Sequence, residues 1–301
     1  MTSHSPTKPF APPLAGFRVV EMGSSLAGPF AALILRQLGA EVFKVEAAGG
    51  DAMRSWGKPH VNNTSAGFET FNHGKRSIVV DLTNADEVAA LVRFIEAGVD
   101  VVLQNLRPGV AERFGLGSAE LTARCPELIY CNQWSFGDRG PMSPQPGYDP
   151  LMQAFAGIID ATGEADRSPA RVGASIIDMS TGMWGAMGIL ALLVRRATGS
   201  GGGVVDASLL ESGLAWMGLN FAALQADGTV PQRGGLQGPL ISPNGGFTAN
   251  DGIIMIVVGT DPQFARLSSL LDLPGLSEDE RFATSNARFS NRTALTQELN
   301  A

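Results

Sequence analysis

The chain has little of what many enzymes use for catalysis or cross-linking. Among 301 residues only three are histidine (His4, His60, His73) and two are cysteine (Cys125, Cys131). Three scattered histidines give a Ser-His-Asp site or a His-based metal site little to build from, so no metal is expected. Two cysteines with five residues between them make neither a metal cluster nor a disulfide framework, which points to a reducing, cytoplasmic setting. No window approaches the roughly 18 uninterrupted apolar residues of a membrane span. The nearest, Met183 to Val194, is interrupted by glycines and reads as a buried helix. Residues 1–13 lack the apolar core of a signal peptide and read as a disordered leader. Basic residues are also in deficit, 22 Lys and Arg against 29 Asp and Glu, for a net charge of −7. That balance argues against nucleic-acid partners while permitting a local basic pocket for an anion. No membrane partner is expected either. Asp or Glu must carry any chemistry.

What is present is a regular alternation of short apolar strands and helices. Strands are expected at Gly16–Met22, Glu41–Glu46, Ser77–Leu82, Asp100–Leu106, Glu127–Trp134 and Val204–Ala207. Helices are expected at Gly28–Leu38, Ala85–Ala97, Ser118–Arg124, Met179–Arg196 and Leu209–Ala226. Apolar strands separated by helices of this length indicate a parallel sheet covered on both faces. Such sheets bind ligands at the carboxyl ends of their strands. The loops beginning at Gly23, Ala47, Asn105 and Ser135 are therefore the places to look for a site.

The first of these, Gly23-Ser24-Ser25-Leu26-Ala27-Gly28, fits neither G-x-G-x-x-G nor a P-loop. It reads equally as a turn feeding a helix. Lys75, Arg76, Arg107 and Arg113 lie near strand ends. Each alone is an ordinary surface charge, and converging on one sheet edge they are able to hold phosphates. A lone carboxylate, Asp178, sits in Gly173-Ala174-Ser175-Ile176-Ile177-Asp178-Met179 just before the long apolar helix. A carboxylate there is expected to be held anionic by free N–H groups and the helix dipole, either as a plain N-cap or as a nucleophile.

In order along the chain stand Leu14-Ala15-Gly16 with the Gly23–Pro29 loop, Leu38-Gly39-Ala40-Glu41-Val42-Phe43-Lys44-Val45-Glu46, Gly50-Asp51 and Trp56. Asn72-His73-Gly74-Lys75-Arg76-Ser77, Asn105-Leu106-Arg107-Pro108-Gly109, Gly147-Tyr148-Asp149, Gly173–Gly182 and Val205–Glu211 follow. With this ordered set the chain resembles the family III CoA-transferases, a group that includes formyl-CoA and carnitine-related enzymes, with α-methylacyl-CoA racemases as close relatives. The resemblance implies that Asp178 is the catalytic nucleophile, forming an aspartyl anhydride and then an aspartyl-CoA thioester. It implies that Ser25, Leu26, Lys75, Arg76, Asn105, Leu106, Arg107, Arg113, Tyr148 and Asp149 bind coenzyme A, which serves as substrate rather than as a resident cofactor. Ala47 stands where the formyl-CoA enzyme carries an Arg, a contact that Arg54 is placed to replace. Tyr148 stands where the racemases carry a histidine base, and Asp261 where they carry a Glu. Both differences favour CoA transfer between an acyl-CoA and a carboxylic acid over α-carbon racemisation.

Residues 227–246 are rich in glycine and proline and mark the boundary between a large Rossmann-like, CoA-binding α/β domain (14–226) and a smaller second α/β domain (227–301). By the resemblance, a glycine-rich loop of this region covers the substrate, with Gly234-Gly235 or Gly245-Gly246 as candidates and a plain linker as the alternative. The smaller domain is expected to hold a strand at Gly252–Val258 and helices at Asp261–Leu271 and Arg288–Leu299. It reads as truncated against the family, which leaves a catalytically silent CoA-binding fragment as a third reading and puts the family's interlocked homodimer in doubt.

Overall fold

The computed structural model describes residues 11–61, 63–230 and 232–300. Most of the expected leader lies outside the described residues. The chain divides into two compact units, residues 11–156 with 172–219, and residues 157–171 with 220–300. The expected boundary at 226/227 falls instead in the last turn of a helix, Gly218–Asp227, and residues 157–171 join the C-terminal unit.

In the first unit the elements run β1 (Arg18–Met22), α1 (Ala27–Gln37), β2 (Glu41–Glu46), a two-residue pair β3 (His60–Val61) and β4 (Thr64–Ser65), and α2 (Ala66–Asn72). β5 (Arg76–Val79), α3 (Ala85–Glu96), β6 (Val101–Gln104), α4 (Val110–Arg113), α5 (Ser118–Arg124), β7 (Ile129–Trp134) and α6 (Asp149–Phe155) follow. After the excursion through α7 (Ile158–Ala161) into the second unit come α8 (Ile176–Ala197), β8 (Gly203–Ser208) and α9 (Leu209–Trp216). Six strands form one parallel sheet in the order β5-β2-β1-β6-β7-β8.

Alternation along each strand sends neighbouring residues to opposite faces, and both faces are covered. Val19, Val42, Val101, Leu103 and Ile129 pack on one side with Leu35 of α1 and with Ala186, Ile189 and Leu193 of α8. Val20, Val102 and Tyr130 pack on the other with Leu91, Val92 and Ile95 of α3 and Leu121 of α5. The strands expected from the sequence are all present, mostly trimmed at their ends where the ladder stops.

α8 begins at Ile176, three residues earlier than expected, so Asp178 lies within the first turn instead of ahead of it. With 22 residues α8 is long and apolar enough to match a membrane span by composition, yet its Ile177, Ala186, Ile189 and Leu193 are buried against the rest of the unit. Its glycines explain how closely it sits. A Cβ at Gly182 would lie 2.8 Å from the Ala27 carbonyl oxygen of α1, and one at Gly188 would lie 2.5 Å from Val205 of β8. The helix expected at Leu209–Ala226 is interrupted at Met217 and continues as α10 (Gly218–Asp227).

The second unit is α/β as well. β9 (Asn244–Ala249) and β10 (Gly252–Val257) form an antiparallel hairpin, followed by α11 (Asp261–Leu270), α12 (Ser285–Ser290) and α13 (Arg292–Asn300). β9 corrects part of the glycine-rich stretch read as loop. Pairing with isoleucine-rich β10 overrides the low strand preference of Asn244-Gly245-Gly246. The single helix expected over Arg288–Leu299 breaks at Asn291. Val258, Phe264, Phe282 and Leu295 make a small core, beside which fully buried Arg288 donates to Asp261 Oδ1 (2.7 Å) and to the carbonyls of Ser242 and Phe282.

Gly182→Val should force α1 and α8 apart. We expect a loss of ~1–3 kcal/mol in urea unfolding, the usual cost of overpacking, with Gly182→Ala intermediate. Unchanged stability in the valine variant would show that the crossing is not limited by this contact.

Candidate active site

Strand order reverses between β1 and β6, so the chain leaves these neighbours in opposite directions and opens a crevice at their carboxyl ends. The two loops that diverge there are tied together. The Ser24 N–H donates to Asn105 Oδ1 (2.9 Å), and Asn105 Nδ2 donates to the Ser24 carbonyl (2.7 Å). Ser25 takes a left-handed backbone (φ 62°), a conformation costly for a non-glycine residue unless its surroundings enforce it.

The surroundings are charged and buried. Lys44 Nζ contacts Glu21 Oε1 (2.9 Å), the Gly23 carbonyl (2.7 Å) and Asp51 Oδ2 (3.0 Å). Lys75 Nζ contacts Glu21 Oε2 (2.7 Å), the Pro29 carbonyl (2.9 Å) and Asn72 Oδ1 (2.9 Å). Burial disfavours both cations. At Lys44 the carboxylates of Glu21 and Asp51 outweigh it and hold the pKa above its ordinary value, whereas at Lys75 burial prevails over Glu21 and lowers it to about 8.

Above this base lies a cavity of about 290 Å³. Ser24, Ser25 and Ala27 line it from the first loop, Asn105–Pro108 from the loop after β6, and Gln133, Trp134 and Ser135 from the end of β7. Gln145–Tyr148, Asp178 and Leu209 complete the wall. Of the sequence-expected residues the cavity gathers Asp178, Ser25, Asn105, Leu106, Arg107 and Tyr148. Arg107 is its one cationic lining residue and has no ion pair among the described residues. Tyr148 is exposed and meets Trp56 edge to face.

The structure places the other assigned residues outside this cavity. Lys75 is a buried structural cation, occupied by Glu21 and not free for phosphate. Arg76 is solvent-exposed on edge strand β5, paired with Glu41. Arg113 lines a different surface cavity with Arg93, Glu96, Glu120 and Arg124. Leu26 precedes the first turn of α1 and does not line the crevice. Arg54, expected to compensate for Ala47, is held by both oxygens of Glu46 (2.6 and 2.7 Å) and lies over the Phe68 ring. Asp149 is buried and faces backbone. Its Oδ2 accepts from the N–H groups of Ile177 (2.7 Å) and Asp178 (3.1 Å).

That last contact also overturns the expected electrostatics of Asp178. The N–H groups that were to stabilise it are taken by Asp149. Burial, reinforced by the Asp149 charge, raises the Asp178 pKa to about 7. Its carboxylate has no ion-pair partner among the described residues.

Sequence reasoning missed Gln133 and Trp134. Gln133 Oε1 and Trp134 Nε1 are buried without hydrogen-bond partners among the described residues. The available signal was a polar Asn132-Gln133 pair ending an otherwise apolar strand.

Replacing Lys75 by Met should cost ~3 kcal/mol or more in unfolding, since it strips a partner from a buried carboxylate. Arg76→Ala should stay within about 0.5 kcal/mol, as exposed substitutions do, and leave CoA affinity in titration calorimetry unaltered. A Lys75 variant with parental stability would remove the structural role.

Residues 14–301 match the model of CoA-transferase family III. The chain is 36% identical over 293 residues to the succinate–glutarate CoA-transferase of Agrobacterium fabrum, covering 95% of this chain and 73% of that one. It is 36% identical over 290 residues to the mouse succinyl-CoA:glutarate CoA-transferase, covering 96% and 66%. Its fold matches the crystal structure of a CAIB/BAIF family protein from Brucella suis with a TM-score of 0.82 and 38% identity, covering 96% of this chain and 77% of that one. The chain thus spans about two thirds to three quarters of the length of these relatives.

Proposed function

The chain belongs to CoA-transferase family III, enzymes that move CoA from an acyl-CoA thioester to a carboxylic acid, and we propose that it does so through Asp178 as nucleophile. The observation that carries this is the unpaired Asp178 carboxylate opening into the crevice at the strand-order reversal.

The steps balance with this residue alone. An Asp178 oxygen attacks the thioester carbonyl, the C–S bond breaks, and CoA thiolate departs from a mixed aspartyl anhydride. The thiolate attacks the aspartyl carbonyl, releasing the donor acid as carboxylate and leaving an aspartyl-CoA thioester. The acceptor carboxylate then attacks that thioester, the C–S bond breaks, and CoA thiolate leaves a second anhydride. Thiolate attack on its acyl carbonyl yields the new acyl-CoA and restores Asp178. Arg107 supports the reading as the cation available to a phosphate or carboxylate in the crevice, with Ser25, Asn105, Leu106 and Tyr148 as CoA contacts.

We further propose a homodimer. Met183, Trp184 and Met187 expose large apolar side chains along α8, as does Trp216 in α9.

Asp178→Ala should lower transfer about 10³-fold or more, as loss of a covalent nucleophile does, while leaving CoA binding largely intact. Hydroxylamine should trap an adduct on Asp178 in the parent protein by mass spectrometry, and its absence under turnover would sink the assignment.

The pH response has a definite sign. Attack needs the carboxylate, so transfer by the free enzyme should rise as pH climbs through about 7. Stability should move the other way. The folded state holds the Asp178 proton well above the ordinary carboxylate range, so this group's contribution is present at low pH and is lost as pH rises toward 7. Asp178→Asn should flatten that slope in pH-dependent unfolding.

A further inference from the structure

Asp178 is placed by another carboxylate. Ser175, at the N-cap position of α8, makes no side-chain cap bond. The N–H groups of Ile177 and Asp178 would otherwise be orphans, since the first turn of a helix has no internal acceptors. Asp149 Oδ2 accepts both, at 2.7 and 3.1 Å, from 28 and 29 residues away in sequence.

The other Asp149 oxygen is also committed. Oδ1 accepts from Gln153 Nε2 (2.6 Å), and Gln153 Oε1 in turn accepts the N–H of Val172 (2.9 Å), in the strand of chain that leads into α8. Asp149 is 3% exposed and Gln153 fully buried. This arrangement pins the start of α8 to α6 and engages both Asp149 oxygens within the protein. Tyr148, the preceding residue, forms part of the crevice wall, so one backbone corner serves both the wall and the reactive turn.

We propose that Asp149 is the positioning residue of the reactive carboxylate, seating the first turn of α8 through two N–H groups and holding a negative charge against Asp178. This rests on the reading of Asp178 as nucleophile. The raised pKa of Asp178, caused first by burial and then by the Asp149 charge, fits this placement. The other elements packed on α8 bring different groups. α1 has no acidic residue in its first turn, and its last-turn cation is Arg36. β8 brings Asp206, engaged by Asn132, and α9 brings Glu211, engaged by Ser208. The crevice wall contributes Arg107 and Tyr148.

The chemical consequence concerns the covalent states. An Asp178 anhydride or thioester is neutral, so forming either one removes the repulsion between two neighbouring carboxylates. Asp149 thereby favours the loaded enzyme and keeps the free nucleophile basic.

The test is Asp149→Asn in the full chain. The amide oxygen still accepts from the start of α8, and Gln153 meets the new NH2 group by turning its own amide, at the loss of its bond from the Val172 N–H. Asp178 is titrated directly by carboxyl ¹³C NMR in unliganded protein, beside the pH profile of transfer and thermal unfolding. We expect the Asp178 midpoint to fall by about one pH unit, the rise in transfer to move with it, and less aspartyl-CoA thioester to accumulate. A midpoint unmoved in a folded variant overturns the proposal. Asp149→Ser, a neutral acceptor, carries the same expectations if the Asn variant does not fold. A midpoint that falls while the parent protein gives no hydroxylamine-trapped Asp178 supports the coupling of the two carboxylates and overturns only the nucleophile reading.

Discussion

The site depends on a buried charge cluster that does not itself line the crevice. Glu21, completely buried at the end of β1, is held by two lysines, one from β2 and one from the turn before β5. Each lysine spends a further contact on a backbone carbonyl of the first loop or of α1: Gly23 for Lys44 and Pro29 for Lys75. Burying such charges is costly unless every one is paired. The pairing fixes where the first loop can run, and with it the strained Ser25 and the Ser24–Asn105 clasp.

A second carboxylate system stands on this base. α8 reaches the crevice because Gly182 lets it cross α1 without a side chain between them. Its first turn is then finished by a residue of another helix. The result differs from the usual helix N-terminus, where free N–H groups stabilise a nearby anion. Here the N–H groups are consumed by Asp149, and Asp178 is left with burial and a like charge. For a nucleophile this is the productive arrangement, because an anion stabilised by hydrogen bonds is a weaker attacker.

Sheet, strand sequence and the loops bearing the site were legible from apolar periodicity, since a parallel sheet covered on both faces needs continuous apolar strands. The Asn105–Arg107 segment stood out because carboxyl ends of strands bind ligands, and Asp178 because it is a lone carboxylate at the start of the long apolar helix. The burial of Lys75 was not legible for a physical reason. Lys75 next to Arg76 looks like two equivalent surface cations in sequence, while the fold buries the first against Glu21 and exposes the second beside Glu41. Period-based reading supplies no information on which residue of a turn points inward. Asp149 was hidden similarly, because its partners lie 28 and 29 residues away and are backbone groups that no sequence pattern marks. β9 was lost because its glycines lack strand preference, and only its isoleucine-rich partner makes it a strand.

The charge inventory of the crevice also constrains the order of events on the proposed mechanism. Among the described residues, Asp178 and Arg107 are its charged lining residues, with Arg107 the cation to offset an incoming acid. An acceptor carboxylate approaching ionised Asp178, with Asp149 behind it, meets two negative charges in a partly desolvated space, where repulsion is stronger than in water. Once Asp178 carries CoA as a thioester, the nearer of those charges is gone and an electrophilic carbonyl stands in its place. The electrostatics therefore favour loading before the acceptor acid enters. On the proposed mechanism, the carboxylate pair that keeps Asp178 basic toward a neutral thioester would also hold off the second substrate until the first has reacted.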